Sequence, residues 1–153
     1  MNTLEPILVE HPLLKDLDTS YLQFIIGCAR NVRFKAGDYL FREGEQADKF
    51  YLIREGRVSL DIYSPNAGPI TIQTLGNGEV LGWSWLVPPY RWYFDAQAVE
   101  ATRAFELDGK CLREKCEANS NLGYELMKRF AQIIAQRLQA TRMQLLDVYG
   151  VRY

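Results

Sequence analysis

Apolar residues recur along this chain with two periods. Leu22, Ile25, Ile26 and Ala29 fall at helical spacing behind a capping-box pattern, Ser20 to Gln23, which predicts a short first helix. From Asn31 to Leu107 the period shortens. Brief runs rich in β-branched and aromatic residues, Tyr39–Phe41, Lys49–Arg54, Arg57–Ile62, Ile70–Leu75, Ala96–Val99 and Ala104–Leu107, alternate with glycines at 37, 44, 56, 68, 76, 78 and 82. Many short strands with tight turns predict a sandwich or jelly roll, and closing the roll spares such strands an open edge.

Beyond Leu107 the helical period returns. Asp108 and the pair Asn119-Ser120 are N-cap signals, the first before a short helical run and the second before a long amphipathic one. In the long run Leu122, Leu126, Phe130, Ile133, Ile134, Leu138, Leu145 and Val148 step by threes and fours. About 27 helical residues reach about 40 Å, more than one small roll can cover. The uncovered part of the stripe is expected to meet the same helix of a second subunit in a two-fold homodimer. The alternative is a helix lying wholly on its own roll.

Composition narrows the function more than the fold. With 153 residues, 48% of them apolar and 24% charged, the chain has the balance of one globular domain. Eighteen Lys and Arg against nineteen Asp and Glu leave a net charge of −1, so no bulk positive field draws the protein to nucleic acid or to an acidic membrane. Three cysteines, Cys28, Cys111 and Cys116, are odd in number and sparse, which predicts reduced thiols in a cytoplasmic compartment; the Cys111–Cys116 spacing is not that of a zinc knuckle. Met1 to Leu14 lacks the basic start of a signal peptide. The longest apolar stretch, Val80 to Tyr90, is broken by Pro88-Pro89 and is far short of a membrane span, so no membrane partner is expected.

Catalysis is not expected either. Metal-dependent jelly-roll enzymes assemble several histidines with a carboxylate, whereas His11 is the single histidine here. No P-loop, G-x-S-x-G elbow or C-x-x-C pair occurs. Asp38, Glu43, Glu45 and Asp48 stand near turns, where carboxylates are usually solvated turn residues.

The glycine spacing carries a resemblance. Lys35-Ala-Gly37-Asp-Tyr-Leu-Phe-Arg-Glu43-Gly44-Glu45, then Phe50-Tyr51-Leu-Ile53-Arg-Glu-Gly56-Arg-Val58, then Leu75-Gly-Asn-Gly78-Glu-Val-Leu-Gly82 and Ala98 to Asp108, resemble the signature of cyclic-nucleotide-binding domains. The likeness runs from Pro12 to about Tyr149. It implies a fold that is mainly β with flanking α: a jelly-roll-like β-roll, or double-stranded β-helix, plus a long C-terminal dimerisation helix. Such a fold is similar to the sensory half of catabolite-activator-type regulators and to the regulatory subunit of protein kinase A. A single domain over 1–153 is then expected, with the first helix and roll at 12–107 and C-terminal helices at 108–149. Regulators of that kind that bind DNA carry a helix-turn-helix domain after the long helix; only Gly150 to Tyr153 follow it here, so direct DNA binding is not expected.

In the family, the cyclic phosphate rests on backbone N–H groups of a short turn after a Gly-Glu pair, opposite an arginine, and the glutamate holds the ribose. Here Gly82 is followed by Trp83, Ser84, Trp85 and Leu86, so tryptophan stands in the glutamate position. Counting back from Ala98 puts Trp92 in the arginine position, with Arg91 one residue earlier. The amides of Trp83 to Leu86 still offer an anion cradle. Losing the charge-assisted contacts predicts affinity for ordinary cAMP or cGMP lower by roughly two orders of magnitude or more. Arg91 replaces the lost charge only if the loop shifts register, because one residue along a strand turns a side chain to the other face.

Three alternatives stay open at the level of sequence. Trp83 either fills the ribose volume or forms a stacking wall for another aromatic ligand. Trp83, Trp85, Tyr90, Trp92, Tyr93 and Phe94 form either a surface patch for a partner protein or a mini-core beneath the loop. Leu138 and Thr141 match the residues that touch the purine in the family, or else Thr141 sets the register of a dimer seam. The expected function is a regulatory, small-molecule-binding sensor in signalling, with a degenerate cassette whose ligand is a cyclic nucleotide or another small anion. Its alternative is a ligand-free dimeric interaction module that docks through the tryptophan-rich loop.

Overall fold

The computed structural model describes residues 7–150. Helix α1, Thr19–Ile26, is followed by eight strands: β1 Ala29–Phe34, β2 Tyr39–Phe41, β3 Lys49–Glu55, β4 Val58–Ser64, β5 Gly68–Leu75, β6 Val80–Leu81, β7 Asp95–Ala98 and β8 Thr102–Asp108. Helices α2, Gly109–Ala118, and α3, Ser120–Val148, complete the order. The described residues fall into two compact units, divided between Lys115 and Cys116.

The strands make two four-stranded antiparallel sheets, ordered β1-β8-β3-β6 and β2-β7-β4-β5. Strand β3 shows why the sequence forms a closed roll rather than an open sheet. Phe50 and Leu52 point to one face and Tyr51 and Ile53 to the other, and all four are buried, so this strand is covered on both sides. Tyr51 and Ile53 join Phe41, Val58, Leu60 and Leu81 in the interior between the sheets. Gly56 allows the β3–β4 corner: its φ is +121°, and a Cβ there would lie 2.5 Å from the Thr102 hydroxyl and 2.7 Å from the Thr102 Cα.

Two strands lie outside the predicted runs. In β1 the polar residues Arg30, Asn31 and Arg33 hide the pattern, and β6 has only two residues, too few to display a period. Helix α1 starts from Asp18 rather than Ser20, because the Asp18 carboxylate accepts both the Ser20 N–H at 2.9 Å and the Ser20 hydroxyl at 2.6 Å. The caps of the later helices fall at the predicted residues: Asp108 accepts from the Cys111 N–H at 2.9 Å, and Asn119 from the Leu122 N–H at 3.2 Å.

The cysteine expectation is corrected. Cys28 and Cys111 form a disulfide, with Cα atoms 6.1 Å apart, and Cys116 is the free thiol. Eighty-three residues separate the pair along the chain. Pairing of β1 with β8 brings Ala29 opposite Leu107, and Asp108 N–H donates to the Cys28 carbonyl at 2.8 Å, so the first turn of α2, which carries Cys111, starts beside Cys28.

Helix α3 also modifies the expected dimerisation stripe. Leu122, Leu126 and Phe130 are buried within the single chain, and Ile133 and Ile134 are half-buried. Leu138, Leu145 and Val148 are open, Val148 at 81% exposure. Among the described residues no helix is long and apolar enough to cross a membrane.

Candidate functional site

The segment between β6 and β7 is where the cassette residues stand. Gly82 has φ +99°, Trp83 precedes a 3₁₀ turn at Ser84–Leu86, and the chain then passes a cis Pro88-Pro89 bond and Tyr90, at φ +57°, before reaching Arg91 and Trp92. The turn is closed by Leu86 N–H to the Trp83 carbonyl at 3.0 Å and Val87 N–H to the Ser84 carbonyl at 3.3 Å. The return strand is clamped to the loop after β2. Ala47 N–H donates to the Tyr90 carbonyl at 2.7 Å, Gly44 N–H to the Trp92 carbonyl at 2.8 Å, and Trp92 N–H to the Glu45 carbonyl at 3.1 Å.

That clamp sets which way the side chains of Arg91 and Trp92 face. Arg91 is exposed, with its Nη1 3.4 Å from the Gly44 carbonyl. Trp92, its neighbour, turns inward and is only 3% exposed. Its indole stacks on Phe41, centroids 3.7 Å apart and planes 7° from parallel. A Cβ on Gly82 would lie 2.5 Å from the rim of that ring. The interior beside Gly82 is therefore filled by Trp92, whereas Trp83 is half-buried.

Trp85 and Ser84 are buried on the turn itself. Trp85 stacks on Phe50 at 4.7 Å and 11°. Its carbonyl accepts from Arg113 of α2, whose guanidinium also lies 3.5 Å from Asp48 and 4.2 Å above the Tyr90 ring. The aromatic cluster is thus largely a mini-core: Trp85 and Trp92 are buried, Trp83, Tyr90 and Phe94 half-buried, and Tyr93 open. Arg113 escaped the sequence reading, since nothing in the spacing of a basic residue on a short helix says which carbonyl it will meet.

Leu138 and Thr141 lie in the second unit. Leu138 is 60% exposed, and the Thr141 hydroxyl donates to the Arg137 carbonyl at 2.9 Å, one turn back on its own helix.

The ionisable groups Glu106, Tyr51 and His11 are buried. Glu106 of β8 is buried and pairs with Lys49 at 2.8 Å and Arg30 at 3.1 Å, both on neighbouring strands. Tyr51, opposite Glu106 in the ladder, has its phenol raised well above the usual range, first by burial and then by the Glu106 charge. His11 is buried and held down to about 4 by loss of solvent; its Nδ1 accepts from the Leu13 N–H at 3.2 Å.

A model of the cyclic nucleotide-binding domain family matches residues 31–119. The chain belongs to this family. Among relatives of this cyclic nucleotide-binding domain, a "CRP-like cAMP-activated global transcriptional regulator" of Mycobacterium tuberculosis is 22% identical over 95% of the chain. The chain spans 63% of that regulator's length. Human "cGMP-dependent protein kinase 2" is 35% identical over 46% of the chain and 9% of the kinase. A solved Geobacter metallireducens protein named for cyclic nucleotide binding superposes with a TM-score of 0.79 at 30% identity, covering 90% of this chain and 99% of that one. The regulatory domain of Toxoplasma gondii PKA, solved with cAMP, has a TM-score of 0.63 at 22% identity, covering 72% of this chain and 42% of that one.

Proposed function

We propose that this domain is a cytoplasmic regulatory sensor for a small anionic ligand, with a cassette too degenerate to hold cAMP or cGMP tightly. The observation that supports this reading is the Trp92 indole, stacked on Phe41 and pressed against Gly82, at the position where the family places its phosphate arginine. A neutral ring there supplies no charge-assisted hydrogen bond, a loss of about 1.5–3 kcal/mol, or roughly tenfold to a hundredfold in affinity. Arg91 is exposed with its Nη1 3.4 Å from the Gly44 carbonyl, which argues against its replacing that charge. The backbone amides of Ser84 and Trp85, at the start of the turn that Leu86 N–H closes, are the part of the family's cradle that does not depend on side chains.

The output proposed for the sensor is a change in helix α3 that alters a partner's state. Leu138, Leu145 and Val148, exposed on that helix, favour a homodimer as the working form. The filled interior favours a second reading, a ligand-free dimeric interaction module.

A panel of cyclic mononucleotides, other nucleotides and small organic acids, followed by thermal shift and tryptophan fluorescence, tests both readings. Under the sensor reading, a panel member gives saturable stabilisation while cAMP and cGMP respond only at high concentration. The double variant Trp83→Glu/Trp92→Arg then gains cAMP affinity by at least about tenfold. Micromolar cAMP binding by the wild type overturns the degenerate-cassette reading; no response to any panel member by an intact dimer favours the interaction module.

A further inference from the structure

We propose that Cys28–Cys111 is a thiol–disulfide exchange site for low-molecular-weight thiols, and that its redox state controls how firmly α2 holds the turn at 84–86. This goes beyond ligand sensing and needs no nucleotide to bind. A cleft of about 410 Å³ opens onto both cysteines and is also lined by Gly27, Arg30, Lys49 and Asp108. That volume is within the range of small-molecule sites. Cys28 is buried and Cys111 half-buried, so Cys111 Sγ is the sulfur an incoming thiolate meets.

The exchange balances in two steps. An external thiolate attacks Cys111 Sγ, the Cys28–Cys111 bond breaks, and Cys28 leaves as a thiolate in a cleft that Arg30 and Lys49 line. A second external thiolate attacks the outer sulfur of the mixed disulfide and releases Cys111 as a thiolate. Two external thiols are oxidised to one disulfide, the protein disulfide is reduced by two electrons, and both cysteines take up protons from water. Glu106 and Asp108 face the same cleft; Glu106 is occupied by Arg30 and Lys49, and Asp108 by the Cys111 N–H.

The bridge holds the first turn of α2, and the same turn holds the cassette. Gly109 N–H donates to the Asp48 carbonyl at 2.7 Å, and a Cβ on Gly109 would lie 2.8 Å from the Trp85 Cβ. One turn on, Arg113 donates to the Trp85 carbonyl. Cutting the link at Cys111 leaves those contacts to hold α2 alone. A disulfide that serves only as a staple belongs in an oxidising compartment, whereas in a reducing cytoplasm a disulfide is characteristically transient and redox-sensing.

The full chain, purified without reductant, is incubated with reduced and then oxidised glutathione, counting thiols by alkylation and mass and following backbone hydrogen exchange. The expected result is one alkylated thiol, Cys116, before reduction and three after it, reversed by oxidised glutathione. A glutathione adduct forms on Cys111 in Cys28→Ser. Exchange in segments 82–92 and 109–118 rises by at least about tenfold on reduction. Cys111→Ser gives the same increase without reductant, with circular dichroism reporting that the roll is folded. Three thiols at the outset, resistance to glutathione short of unfolding, or unchanged exchange at 82–92 on reduction each overturn the proposal. None of these readouts involves a nucleotide, so failure here and failure of the sensor reading are separate results.

Discussion

The Trp92 indole lies parallel to the Phe41 ring at 3.7 Å, and its far edge occupies the space that any side chain at position 82 would need. The contact joins β2, the β6 corner and the strand entering β7 through two flat rings and a missing Cβ. Gly82→Ala therefore meets two costs at once, a φ of +99° and a Cβ 2.5 Å from the indole. We expect a loss of about 2–4 kcal/mol in urea unfolding. Trp92→Ala, which leaves a void beside Phe41, is expected to cost about 3–5 kcal/mol. A Gly82→Ala variant as stable as wild type contradicts the packing described.

Glu106 makes an asymmetric prediction. It is buried, whereas the side chains of its partners Arg30 and Lys49 are 68% and 52% exposed. Glu106→Gln discards both ion pairs at a buried position and should lower stability by about 1–3 kcal/mol. Arg30→Ala or Lys49→Ala leaves the carboxylate one partner and removes a largely solvated cation, at under about 1 kcal/mol each. Equal losses from all three variants contradict this ordering.

His11 gives the protein a pH dependence on its acid side. Folded His11 protonates near 4 and the unfolded side chain near 6.5, so between these values the unfolded state binds more protons. The stability associated with this residue is complete above pH 6.5 and is lost as pH falls toward 4, by up to about 3 kcal/mol. Unfolding free energies for wild type and His11→Asn should diverge above pH 6.5 and converge in acid, with the variant less pH-dependent in that window. Parallel curves contradict a buried neutral imidazole.

The exposed apolar half of α3 predicts self-association. Wild-type protein is expected to scatter light as a dimer, and Leu138→Glu/Leu145→Glu as a monomer with unchanged circular dichroism. Because Leu122, Leu126 and Phe130 are already buried in the single chain, charges placed there should reduce folding before assembly. A monomeric wild type removes the dimer from the proposed function.

Much of the roll was readable because its signals are local. The glycine punctuation marks real corners, Gly56 and Gly82 among them, and each predicted run overlaps a strand, since alternation and turn chemistry act within a few residues. Strand β6 was not readable: two residues show no period, and pairing with β3 defines them. The cassette was legible only in part. Counting residues sets Trp92 and Trp83 against the arginine and glutamate positions of the resemblance, but it does not say where either ring lies.

The class of fold and the order of its parts are written in the amino-acid sequence alone, because periodicity and turn chemistry are properties of neighbours along the chain. Tertiary structure decided that Trp92 rather than Trp83 fills the interior, that Arg91 faces out, that Arg113 holds the Trp85 carbonyl and that Cys28 meets Cys111. Those contacts depend on strand register and on how α2 leaves β8. Residues 83 positions apart become neighbours only after two strands have paired, and no local preference encodes that.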